Sequence, residues 1–222
     1  MNDKCTSTHE TVAENGLVEH IPPTSRIEFF SDAVIAIIIT LLILELHAPE
    51  FGYGATSGEI WSELVHLWPK FASFTGSFII LCIFWVNHHQ FFHELDHSDG
   101  PILWLNNHLL FWLCLIPFTS AMLGENHLSP VPVALSGFVL FMAAFAFYLM
   151  GRYAFVRSHL VHDLPDGLRQ LQANRSRFGM ITYGLSVPLA FLSVYLSLAI
   201  FLLVPIFYFV PRRIFKAVMG GQ

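Results

Sequence analysis

The chain has 222 residues, 55% of them hydrophobic and only 12% charged, with a formal net charge of −5. Soluble globular domains carry about 25% charged residues, so half that level, at a mean hydropathy of +0.58, excludes a disordered chain and argues against a soluble enzyme. The 11 Lys plus Arg against 16 Asp plus Glu leave no basic stripe for a nucleic-acid partner.

Residues 1–25 are polar and net acidic, and end at Pro22-Pro23. They lack the apolar core and small-residue cleavage site of a signal peptide, and read as a flexible cytoplasmic N-terminal tail. Apolar runs follow. A bilayer core about 30 Å thick takes roughly 20 mostly apolar residues per helix. Ile27–His47, Trp68–His93, Ile102–Leu123 and Val131–Tyr153 each meet that length. Between the first two, SGEIWSELVHLW has helical periodicity, with Ser57 as a candidate N-cap and Trp61 and Trp68 at headgroup level. Val156–Ser176 is polar, and Phe178–Pro211 is one long apolar run. As a single helix that run would be about 50 Å long, too long for one crossing. It reads as two spans with a turn near Ser193–Ser197 and a kink at Pro188. No β pattern occurs. The fold expected is an all-α integral membrane protein with six transmembrane helices over 26–216 and a short C-terminal tail, 217–222.

Charge tests the count independently. With the N-terminus in the cytoplasm, ten of the eleven basic residues fall inside and only Lys70 outside, as the positive-inside rule requires. An odd number of spans would put Arg212, Arg213 and Lys216 outside. Only the 94–101 loop lacks a basic residue on the inner side. Cys5, Cys82 and Cys114 are widely spaced, with no disulfide framework or CxxC signal. Cys82 and Cys114 lie in apolar runs and are expected to pack as small hydrophobes.

Polar groups within spans are costly and normally face a bundle interior or cavity. Asp32 in the first span, Asn87, His88 and His89 in the second, and Asn106, Asn107 and His108 in the third lie at similar heights above the inner helix ends. One layer shared by three helices suggests a hydrogen-bonded network with Asp32 as acceptor and His and Asn side chains as donors. Three uses fit it: fixing helix register, relaying protons or binding substrate, or holding a metal or haem. His89, His93 and His97 recur at i, i+4, i+8, which could place three imidazoles on one helix face as zinc would need. On the first helix, Arg26, Phe30, Ala33, Ile37, Thr40, Leu41 and Leu44 form one stripe at 100° per residue, with Asp32 nearly opposite. On period alone that stripe fits lipid contact or packing.

The run R-x3-F-S-D-A-V-x-A-I-x-x-T-L-x-x-L-E-L, Arg26 to Leu46, resembles the signature of the transmembrane protein 175 family of lysosomal potassium channels and their prokaryotic relatives. F-W-x-N-H-H (Phe84–His89) and Pro117-Phe118 followed by L-G-E-N are similar to the same family. The chain carries one signature and so resembles the single-repeat prokaryotic form. The resemblance implies a homotetramer in a prokaryotic plasma membrane, with a cation pore on the four-fold axis lined by four copies of the first helix. It implies a constriction at Ile37, a pore threonine at Thr40, further apolar layers at Leu41 and Leu44, and structural polar roles for Arg26, Ser31 and Asp32; by their depth in the spans, Asn87, His88, His89, Asn107 and His108 are expected to complete that network. No TVGYG filter is present. Permeant potassium and other monovalent cations would be the only partners besides lipid and other copies of the chain, with no cofactor and no metal. The alternatives are a proton-coupled transporter using Asp32 and the His layer, for which no internal repeat is visible, and an intramembrane metalloenzyme, for which no HExxH is present.

Overall fold

The computed structural model describes residues 24–156 and 166–209. The expected tails and the start of the polar stretch after Val156 lie outside these residues. The described chain is all helix: α1 (Thr24–Leu41), continued by a 3-10 turn at Leu42–Glu45, then α2 (Ser57–His66), α3 (Trp68–His93), α4 (Gly100–Cys114), α5 (Ile116–Glu125), α6 (Pro130–Val156), α7 (Asp166–Leu192) and α8 (Val194–Phe209). In lipid every backbone N–H and C=O must find a partner within its own segment, so long apolar runs have helix as their solution even where Ile and Val dominate. Four spans among the described residues are long and apolar enough to cross a membrane: Thr24–Glu45, Trp68–His93, Gly100–Glu125 and Pro130–Val156.

Element ends follow local chemistry. Pro69 and Pro101 sit in the first turns of α3 and α4, where a missing N–H costs nothing. Asp99 caps α4 by accepting from the Ile102 amide at 3.0 Å, and its other oxygen takes the Tyr153 hydroxyl at 2.6 Å. The loop 94–101 is thereby tied to α6. The third span is not one helix. It breaks at Leu115, whose amide shortens its bond to Trp112 O, just before Pro117 at the start of α5. The long apolar run divides at Ser193, at the near edge of the expected turn. From Asp166 onward the polar stretch forms the first turns of α7. The N-cap of α2 is Thr56, one residue before the expected Ser57. Thr56 and Glu59 form a reciprocal capping box.

Chain direction alternates. α1 rises from the Thr24 end, and α2 lies at the opposite end. α3, α6 and α8 run back, while α4–α5 and α7 run forward. Lys70–Glu125 at 3.3 Å ties α3 to α5 at the α2 end, and Gln172 donates to Glu94 at 2.7 Å at the other. α6 is apolar on all sides and is the most buried of the four spans. It packs most extensively against α7, where Gly137 sits directly over Ser186 Oγ with no room for a β-carbon. Cys82 is partly buried, but Cys114 is exposed on the chain, so the core does not take it up as a small hydrophobe.

Candidate functional site

α1 has two faces. Ile27, Ser31, Ile35, Ile38 and Leu42, at helical spacing, are buried against α3 and α4. The opposite face carries Arg26, Phe30, Ala33, Ile37, Thr40, Leu41 and Leu44, all exposed on the single chain, Ile37 by 58% and Leu44 by 65%. The stripe read from periodicity is therefore the face that no other part of the chain covers. Within it, the Thr40 hydroxyl donates to the Ile37 carbonyl at 2.8 Å. Its proton is occupied along the helix, which leaves the oxygen lone pairs turned away from that bond.

Behind the open face, the polar side chains separate into two sets. The first is fully buried. Ser31 Oγ donates to the Ile27 carbonyl at 2.8 Å, Asn106 Nδ2 donates to Ser31 Oγ at 2.8 Å, and His88 Nε2 lies 2.8 Å from Asn106 Oδ1. With one Asn106 N–H given to Ser31, the direction of the chain assigns the remaining proton: the Asn106 carbonyl can only accept, and His88 carries its proton on Nε2. His88 Nδ1 is left as a buried acceptor without a partner, beside the Phe92 ring at 4.5 Å between centroids. Three helices, α1, α3 and α4, are joined in register by this chain.

The second set lies on the more exposed side of the α1–α3 contact. Trp85 Nε1 donates to Asp32 Oδ1 at 3.0 Å, and His89 Nδ1 lies 3.1 Å from Glu28 Oε1. The Trp85 and His89 rings stack at 6.0 Å. Asp32 thus turns into its own subunit, away from the stripe, and its partner is an indole rather than the expected His or Asn donors. Trp85 and Glu28 are the residues that sequence reasoning missed. Their signal was spacing: Glu28 and Asp32, like Trp85 and His89, are four apart and so share a helix face.

The other expected members sit apart. Asn87 donates back to the Ile83 carbonyl of its own helix at 2.7 Å. His108 accepts from Trp112 Nε1 at 2.9 Å, also within one helix. Asn107 is only partly buried, and Asn106 occupies the position in the network expected of it. Arg26 is exposed in the first turn of α1. The trio His89, His93 and His97 does not form one face, because α3 ends at His93 and His97 lies in the following loop. Among the described residues no three His, Cys, Asp or Glu side chains are grouped to hold a metal ion.

The family described as endosomal/lysosomal potassium channel TMEM175 matches residues 26–117, a segment that contains both polar sets and the whole open face of α1. A potassium channel of Chryseobacterium is 34% identical over 197 residues, spanning 86% of this chain and 96% of its own length. The chain belongs to the TMEM175 family. A potassium channel of Streptomyces collinus is 35% identical, with 83% of this chain and 91% of the relative aligned. The crystal structure of a lysosomal potassium-selective channel TMEM175 homolog from Chamaesiphon minutus superposes with a TM-score of 0.73 at 30% identity, covering 83% of this chain and 95% of that one. TMEM175 is a family of ion channels and not of enzymes. With its apolar spans and bacterial relatives, this member is an integral membrane protein of the prokaryotic plasma-membrane type.

Proposed function

We propose that the chain forms a potassium-permeable cation channel, assembled as a homotetramer of six-span subunits with both termini cytoplasmic and with the open face of α1 lining the pore. The observation that carries this reading is the exposure of Ile37, Thr40, Leu41 and Leu44 along one stripe of α1 while the opposite stripe is locked into its own subunit. A pore needs a helix that is held firmly from behind and uncovered in front. One such helix per chain cannot enclose a pore, so several copies must share it. The 34% and 35% identical relatives named as potassium channels support potassium as the permeant ion.

In this arrangement Ile37 is the narrowest point. Four β-branched side chains on an axis leave little room and offer no oxygen to replace an ion's hydration shell, so the ring closes by dewetting and opens when the helices splay. Thr40, one turn further along, presents hydroxyl oxygens to a partly hydrated cation, since its proton is held by the Ile37 carbonyl. Asp32, held by Trp85, and the buried Ser31–Asn106–His88 chain keep α1 in place rather than contact the ion. Selectivity is then weak to moderate, because no ring of carbonyls lines the path. No cofactor is required beyond the permeant ion.

The deciding experiment is flux from purified protein in liposomes under potassium, sodium and impermeant-cation gradients. Passive, unsaturated potassium flux is expected. Flux that appears only with a pH gradient would replace the channel with the proton-coupled transporter.

A further inference from the structure

On the side of the bundle away from the open face of α1, helices α3, α5, α6 and α8 enclose a partly open cavity of about 320 Å³. It lies in the half nearer α2. Its α3 wall is built of the small residues Ala72, Ser73, Gly76 and Ser77, and Leu198 and Phe201 of α8 face into it. In a membrane, small residues four apart normally draw a second helix into close contact. Ser73 meets α5 in this way, but Gly76 does not: a β-carbon placed on it would meet nothing within 4 Å.

Three of the hydroxyls on its walls are already engaged. Ser73 donates to the Ser120 carbonyl at 2.7 Å, Thr119 to the Ile116 carbonyl at 3.1 Å, and Ser136 to the Pro132 carbonyl at 2.9 Å. Water entering would find few bonds to make, and apolar voids of this kind stay dry but take up apolar molecules, as a ~150 Å³ engineered cavity takes up benzene. His127 also lines the cavity, and its Nδ1 is buried without a partner. Trp68 and Leu202, on the rim, are widely exposed. The site therefore offers a mainly apolar trough reachable from the bilayer, with His127 Nδ1 as a buried polar atom that the chain leaves unused.

We propose that this cavity holds an acyl chain of a membrane phospholipid from the leaflet on the α2 side, with His127 Nδ1 meeting the ester or headgroup region. The described residues Thr24, Val156, Asp166 and Phe209, which border the undescribed segments, all lie at the end of the bundle opposite the cavity. Within the chain α1 packs chiefly on α3 and α4, whereas the cavity is bounded by α3, α5, α6 and α8. The bound chain would brace α3 and α5, the two helices that also support the Leu42–Glu45 turn at the end of α1.

The test uses the full-length protein in detergent and phosphatidylglycerol carrying an acyl-chain diazirine. In the wild type, photo-adducts are expected on Ala72, Gly76, Leu198 or Phe201, saturating with lipid, beside unsaturable adducts on outward-facing Leu203 and Ile206. Gly76→Leu should abolish the first group and spare the second. Leu198→Trp narrows the cavity from the opposite wall and should do the same, which covers a failure of the first variant to fold. His127→Phe should weaken the saturable labelling about fivefold, the worth of one hydrogen bond. Adducts confined to Leu203 and Ile206 in the wild type, or saturable labelling unchanged by both filling variants, would overturn the proposal. Because the readout is lipid labelling rather than ion flux, its failure is separate from any failure of the channel reading.

Discussion

Ser31, Asn106 and His88 show how much one buried amide can decide. Asn106 spends its donor on Ser31 and its acceptor on His88, and all three side chains are fully buried. Asn106→Leu strands the His88 N–H and a Ser31 lone pair together. An unsatisfied buried group costs about 1–3 kcal/mol, so a marked loss of thermal stability in detergent is expected. Asn107→Leu, one residue on and outside the network, should change stability by no more than about 0.5 kcal/mol. Equal losses in the two variants would refute the network. At the same scale, Ile37→Asn should wet the proposed constriction, raise flux and relax discrimination between potassium and sodium, while Leu44→Asn should do less. A silent Ile37→Asn beside a leaky Leu44→Asn would move the constriction outward by two turns. The residue-level pattern was only partly legible. The polar layer was visible because charges and amides are rare in apolar runs, but which of Asn106 and Asn107 turns inward depends on helix rotation, which adjacent residues of the same type cannot report.

Among the elements, α2 offers a pH test. The Glu59 carboxyl is held below its ordinary range, chiefly by the Thr56 backbone amide and then by the Thr56 hydroxyl. A carboxylate whose folded pKa is depressed stabilises the helix above its unfolded pKa, and that contribution is lost as pH falls through the folded value. The N-terminal turn of α2 should therefore fray on acidification to below the usual carboxylate range, as read by amide exchange at Glu59 and Ile60. Glu59→Gln should remove the pH dependence, whereas Thr56→Ala, which keeps the backbone amide but loses the hydroxyl, should weaken the cap and only reduce that dependence. The sequence held this information, since T-x-x-E at 56–59 is a capping-box pattern, and placing the cap at Ser57 overlooked it by one residue. The α6–α7 contact is the opposite case. Gly137 reads in sequence as one more glycine in an apolar run, and only the fold brings it onto Ser186. Gly137→Leu should force the two helices apart at a cost of about 1–3 kcal/mol or more, detectable as lower yield and melting temperature. A normal melting temperature would mean that the pair tolerates separation.

For the whole molecule, the described basic residues Arg26, Arg152, Arg169, Arg175 and Arg177 all belong to the end of the bundle where α1 starts, and Lys70 to the other. That arrangement agrees with a cytoplasmic placement of both termini. If α1 lines a shared pore, cross-linking in native membranes should stop at four chains, and cysteines introduced at Ile37 should react with one another across subunits. A monomer that conducts would remove α1 from the pore lining.

The number and order of the apolar runs, the division of the last long run near Ser193, and the two-faced character of α1 were all determined by the sequence alone. The reason is that lipid allows so few backbone solutions that length and hydropathy suffice. The partner of Asp32, the inward turn of Asn106, the helical start of α7 from a polar stretch, and the void beside Gly76 were decided only by tertiary structure. Each depends on which faces of distant helices meet, and a small residue in an apolar run looks the same whether a neighbouring helix fills the space beside it, as at Gly137, or leaves it open, as at Gly76.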